Sequence, residues 1–214
     1  MIPLSRFNVF RFLQSLELGP FAWTRSTLGF RNQARLKIWW QTGMPLRLGV
    51  IDDPDFQLGD GLECDAAFIE DVIWLHERVF DGPDWEARAG WLLRHEILHA
   101  KIAVANIATG TWLGKRRFKI LEAAAHDALR LAHSTPSLYE LSVLLTTYEK
   151  SGLDEAEEAL VRYIQLLQAK ETVPITPTLL KAKQFLSRPW GRSPLCLLRT
   201  IVWLPVCGRT ARLR

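Results

Sequence analysis

The segment Arg94-His95-Glu96-Ile97-Leu98-His99 constrains this 214-residue chain more than any other. It is an H-E-x-x-H pattern set in a long apolar stretch. If the stretch is helical, His95 and His99 leave one face about a turn apart, a spacing that suits two ligands of one tetrahedral metal ion. Glu96, one position round the helix, is then placed to reach a water on an open metal position. The flanks favour a helix. Asp81-Gly82-Pro83-Asp84 offers N-cap candidates and a proline suited to a first turn. Leu92, Leu93, Ile97, Ile102 and Val104 then continue the apolar face to a stop near Gly110. Read instead as an ordinary core helix, the segment would bury the charged Glu96 beside Ile97 and Leu98 at a cost in free energy.

Two histidines do not make a catalytic zinc site, which takes three protein ligands and leaves a fourth position to water. The extended pattern H-E-x-x-H-x-x-G-x-x-H is not met, because positions 102 and 105 are Ile102 and Ala105. An alanine-rich helix expected over about 118–133 supplies the next candidates. Glu122 follows His99 by 23 residues, enough chain to turn at Gly110–Gly114 and return beside the first helix. A small-residue face of Ala123, Ala125 and Ala128 would allow close approach. His95, His99 and Glu122 are therefore the expected metal ligands. His126, one turn further on, is an alternative ligand or a catalytic proton donor or oxyanion stabiliser near the metal. Asp127 could orient a ligating histidine, and Tyr139 and Tyr148 are further oxyanion-stabilising candidates.

The rest of the chain reads in order. Residues 5–18 suggest an amphipathic helix, 21–35 a loop or short helix, and 36–40 and 46–51 two strands. The acidic, glycine-bearing run 52–61 misses calcium-loop spacing and reads as a polar surface loop. Ala66–Phe68 and Val72–Leu75 suggest a hairpin or kinked strand, with His76 an ordinary surface histidine at its end. Two helices over 137–150 and 153–170, joined at Ser151-Gly152, are expected to pack as a hairpin. Their facing residues would be Leu141, Leu144, Leu145 and Tyr148 against Leu160, Tyr163, Ile164 and Leu167. A short helix over 179–186 precedes a loosely held tail. The expected class is α+β: a small N-terminal sheet packed on the H-E-x-x-H active-site helix, then a mainly helical C-terminal half.

On His95, Glu96, His99 and Glu122, the chain resembles a zincin metallopeptidase, most like the gluzincin branch, in which a glutamate on a following helix completes the site. The likeness covers roughly residues 46–132. It implies a Zn2+ cofactor, a peptide or protein substrate, and Glu96 as general base in zinc-assisted peptide hydrolysis, while His126 is an assisting catalytic candidate by its place one turn after Glu122. It also implies an edge strand before the motif helix lining a substrate cleft. On this reading residues 1–134 form the metallopeptidase core, 135–187 a helical hairpin extension packed on it, and 188–214 a basic tail.

Composition bounds the remaining choices. A 48% hydrophobic and 23% charged chain is globular in character. Three cysteines at no metal-like spacing read as free thiols in a reducing compartment. The N-terminus lacks a signal-peptide pattern, and the apolar run 195–206 is too short to span a bilayer and holds Arg199. A cytoplasmic protein without a transmembrane segment is expected. The net charge of +4 is segregated. Residues 1–50 carry seven Lys/Arg against Glu17 alone, residues 51–100 carry thirteen acids against three bases, and 172–214 carry eight bases and no acid. Two other classes follow from these features: a non-catalytic, zinc-stabilised helical protein, or a basic protein that binds nucleic acid or a membrane surface. Aromatic interleaving is sparse in the tail, so nucleic acid is not the expected partner. Nothing in the sequence speaks to oligomeric state.

Overall fold

The computed structural model describes residues 25–51, 57–58 and 62–190. The helix expected over 5–18, most of the polar loop and the tail beyond 190 lie outside these residues. The fold is α+β, with a small sheet followed by a mainly helical C-terminal half. The chain divides into two compact units, and the dividing line falls within one helix, between Leu93 and Arg94.

The first unit begins with helix α1 (Arg25–Thr42). Residues 36–40, expected to be a strand, are helical. Their apolar alternation is local, whereas the buried side chains Thr27, Arg31, Ala34, Ile38 and Thr42 recur at helical spacing. Leu36 is left exposed on the outer face. Gly43, with φ of 68°, ends the helix in the left-handed conformation, its N–H donating to the Trp39 carbonyl.

Strand β1 (Arg47–Ile51) runs parallel to β5 (Val72–His76), which pairs antiparallel with β4 (Ala66–Ile69), in the order β1-β5-β4. The central strand β5 is a continuous apolar run, as burial on both faces requires. Gly49 lies opposite Trp74, and a Cβ there would come within 2.4 Å of the indole ring. Glycine is thus the condition for seating that tryptophan. Glu70 and Asp71, both at positive φ, make the tight β4–β5 hairpin that the sequence suggests. His76 is buried rather than on the surface, and its Nδ1 accepts from the Arg78 N–H to start a short 3₁₀ turn. Arg88 donates to the carbonyls of Val79 and Asp81, fixing that turn, and beside it Phe30 packs edge-to-face on both Phe80 and Trp85, which are tilted against each other.

Helix α2 (Trp85–Ile107) starts in this unit and ends in the second. The second unit continues with α3 (Trp112–Ser134), α4 (Tyr139–Lys150), α5 (Glu155–Gln168) and α6 (Pro177–Ser187). It also holds a two-residue ladder of β2 (Gln57–Leu58) with β3 (Leu62–Glu63). Helix α3 begins about six residues earlier than expected, because Thr111 caps it by accepting from the Gly114 N–H. Gly114 is packed so closely on the preceding turn that a Cβ would overlap the Ala108 carbonyl. The buried stripe of α3 is Leu121, Ala124, Ala128 and Ala132, and its small side chains bring the helix against α5 and α6. Helix α5 is buried on nearly every side, with Ala159, Leu160, Val161, Tyr163 and Ile164 almost fully enclosed. Such a helix belongs to the centre of its unit. Among the described residues no helix is long and apolar enough to cross a membrane.

Candidate metal centre

His95 and His99 project from one face of α2, with ring centroids 4.9 Å apart. The third group that meets them, a carboxylate, is Glu158 on α5. Its Oε2 lies 3.1 Å from His99 Nε2 and 3.3 Å from His95 Nε2, while the two Nε2 atoms are 3.2 Å apart. Among the described residues these three side chains form the one group able to hold a metal ion together.

The expected third ligand, Glu122, lies elsewhere. It is exposed on α3, as is His126, because the alanine stripe that buries α3 is the opposite face. The helix turns its small residues to α5 and α6, not its carboxylate to α2. The ligand role expected of Glu122 is therefore corrected, since Glu158 takes the place beside the histidines, and His126 is likewise not among the residues grouped there. Asp127 serves another purpose, accepting from Thr176 and Thr178 at the start of α6. Tyr139 is exposed, whereas Tyr148 stands close enough to Glu158 and Glu96 to feel their charge.

The geometry of the triangle fits zinc. Metal–nitrogen and metal–oxygen bonds of about 2.0–2.1 Å at tetrahedral angles place neighbouring donor atoms about 3.3 Å apart. The three observed separations fall at or just below that value. The tautomers fit as well. His95 Nδ1 lies 2.9 Å from Gln165 Oε1 and His99 Nδ1 lies 2.7 Å from Glu157 Oε1. Neither carboxylate nor amide oxygen can donate, so both Nδ1 atoms carry protons and the Nε2 atoms are the ones that face inward. When both Nε2 atoms are unprotonated, two imine nitrogens and a carboxylate oxygen converge, a donor set able to hold a cation at its centre.

Helix α5 organises most of this. Asp154 caps it by accepting from the Glu157 N–H. From there, Glu157 orients His99, Glu158 completes the triangle, and Arg162, one turn on, donates to Glu158 Oε1 at 2.6 Å. Gln165, a further turn along, orients His95. One helix supplies one member of the candidate site and three residues that hold its members in place.

The electrostatics are those of an enclosed polar site. Burial alone would push Glu158 up, but hydrogen bonds and charge from His95 and His99 hold it well below the usual carboxylate range. Burial likewise pulls His99 down, yet hydrogen bonds to Glu157 and Glu158 outweigh it and hold the ring well above the ordinary histidine value. Glu96, 4% exposed, has its carboxyl raised by burial, with the histidine charges only partly offsetting the effect. Burial and the nearby Glu158 charge raise the Tyr148 phenol, so it remains protonated.

Sequence reasoning missed Glu158 for a physical reason. Glu155, Glu157 and Glu158 follow an aspartate N-cap, where the helix dipole favours acids whatever their function. Arg162 at i+4 makes an ordinary surface pair of Glu158 on paper. The available signal was the company it keeps, a glutamate followed at once by the apolar run Ala159-Leu160-Val161. Comparison with protein-family models, curated proteins and solved structures finds no match to this chain.

Proposed function

We propose that this protein is a zinc-dependent hydrolase of peptide bonds, with His95, His99 and Glu158 as the metal ligands and Glu96 as general base. The observation that carries the reading is the inward-facing triangle of three acceptor atoms beside a buried glutamate on the same helix. Among the described residues three protein donors, rather than four, meet there, which would leave a tetrahedral ion one position for water or substrate. That favours a catalytic over a purely structural site. When bound, zinc supplies a Lewis acid and brings the pKa of a coordinated water near neutrality.

The chain's own residues would do the rest. Glu96 follows His95 directly in sequence. Its carboxyl, shifted upward by burial, is matched to taking a proton from water and returning it to the departing amine. Glu157 and Gln165 keep the imidazoles in the tautomer that presents Nε2. Arg162 occupies one oxygen of Glu158, directing the other toward the histidines. Tyr148, kept as a phenol, is the donor best placed by charge to meet a developing oxyanion.

The test is zinc content measured beside hydrolysis of an unfolded protein substrate. About one zinc per chain is expected in the wild type and in Glu96→Gln, with hydrolysis in Glu96→Gln falling roughly 10²–10⁴-fold. Glu158→Ala should lose the metal, whereas Glu122→Ala should keep both metal and activity. Wild type purified without zinc, or Glu158→Ala retaining it, would refute the ligand set. Zinc retained with no hydrolysis by the wild type would leave the metal centre standing and overturn the enzymatic reading.

A further inference from the structure

We infer that the outer face of the first half of α3 is a docking surface for an anionic lipid membrane. The stripe of α3 opposite its alanine seam carries Trp112, Lys115, Arg116 and Lys119, all exposed, with Leu113 and Arg117 beside it. Trp112 is 74% exposed and Leu113 47%, and Ile107 at the end of α2 is also exposed. Three large apolar side chains in water within seven residues of chain are costly unless something covers them. The Arg116 guanidinium lies 5.8 Å from the Trp112 ring centroid, so cation and indole present a joint face.

Along this face of α3 the charge is of one sign as far as Lys119, and exposed Glu122 is the first acid beyond it. From Ile97 to Leu121 the sequence contains no acid, while Lys115, Arg116, Arg117 and Lys119 fall within five positions. In the same unit Glu157 and Glu158 are committed to the metal centre, so they do not serve this cluster. A helix that buries one face in protein and offers tryptophan, leucine and a basic cluster on the other matches the interface of an anionic bilayer. There indole and aliphatic groups enter the headgroup boundary and lysines and arginines meet lipid phosphates and carboxylates. Nucleic acid would satisfy the charges and could stack on Trp112, but it would leave the aliphatic part of the tip uncovered. Leu113 and Ile107 have no ring on which a base could stack.

The full-length protein is tested by flotation with vesicles of phosphatidylcholine alone and of phosphatidylcholine mixed with phosphatidylserine. Binding is expected only to the mixed vesicles. It should weaken roughly fivefold for each charge removed in a Lys115→Gln, Arg116→Gln, Lys119→Gln variant, or about a hundredfold together. Trp112→Ser with Leu113→Ser should abolish the binding that survives raised salt. These positions are solvent-exposed, and unchanged helical circular dichroism identifies the variants as folded. Equal binding to neutral vesicles, no binding to either kind, or full binding by both variants would overturn the inference. So would capture by single-stranded nucleic acid that the same variants abolish while vesicle binding is absent.

Discussion

Glu157 and Glu158 are adjacent in sequence and perform different tasks in space, one bracing His99 from behind and the other facing it. This division makes a prediction at the residue scale. Removing a brace should leave the donor set intact but loosen it. Glu157→Ala and Gln165→Leu should each weaken zinc affinity about 10–100-fold without abolishing binding, as competition with a chromophoric chelator would measure. Loss of either brace with no change in affinity would mean that the rings are held by packing alone. At this scale the meeting of His95 and His99 on one helix face was legible, because two rings four residues apart carry their own geometry wherever the helix goes. Glu122 was misassigned because chain distance says how far a residue can travel but not which way its helix faces.

Helices, not single residues, decide that facing. The alanines of α3 look interchangeable in sequence, yet Ala124 and Ala128 are buried whereas Ala123 is exposed. The choice follows from Leu121, which shares the buried stripe, and so turns Glu122 and His126 outward. The same rotation leaves Asp127 at the edge, where it receives the hydroxyls of Thr176 and Thr178 and anchors the start of α6. Those hydrogen bonds, rather than burial, hold the Asp127 carboxyl below its usual value of 3.8. A depressed native pKa means that the unfolded chain binds the proton more readily. The stabilisation is therefore complete above the ordinary aspartate range and lost as pH falls through the native value. Asp127→Asn should lower unfolding stability at neutral pH by about 1 kcal/mol. The gap from wild type should close on acidification, as denaturant unfolding at a series of pH values would show. A gap that widens in acid would contradict the assignment. Helix α1 teaches the same lesson, since the alternation in Leu36-Lys37-Ile38 is strand-like over three residues and helical over eighteen.

For the whole molecule, the metal centre ties two segments far apart in sequence, since 58 residues separate His99 from Glu157. Zinc bound to the folded chain and not to the unfolded one should stabilise the second unit by about 2.7 kcal/mol at a hundredfold excess over the dissociation constant. Hydrogen exchange should then show added protection in 95–101 and 155–165 on adding zinc, reversed by chelator. Protection unchanged in α5 would exclude it from the site. The sequence alone determined what is local: the H-E-x-x-H helix, the alanine-rich helix, the β4–β5 hairpin and the α+β class. Each follows from periodicity, caps and turn residues that act within a few positions. Tertiary structure decided the rest, above all that the carboxylate meeting the histidines comes from α5. Helix rotation and partner choice are set by how apolar stripes from distant segments fit together, and no local pattern encodes that fit.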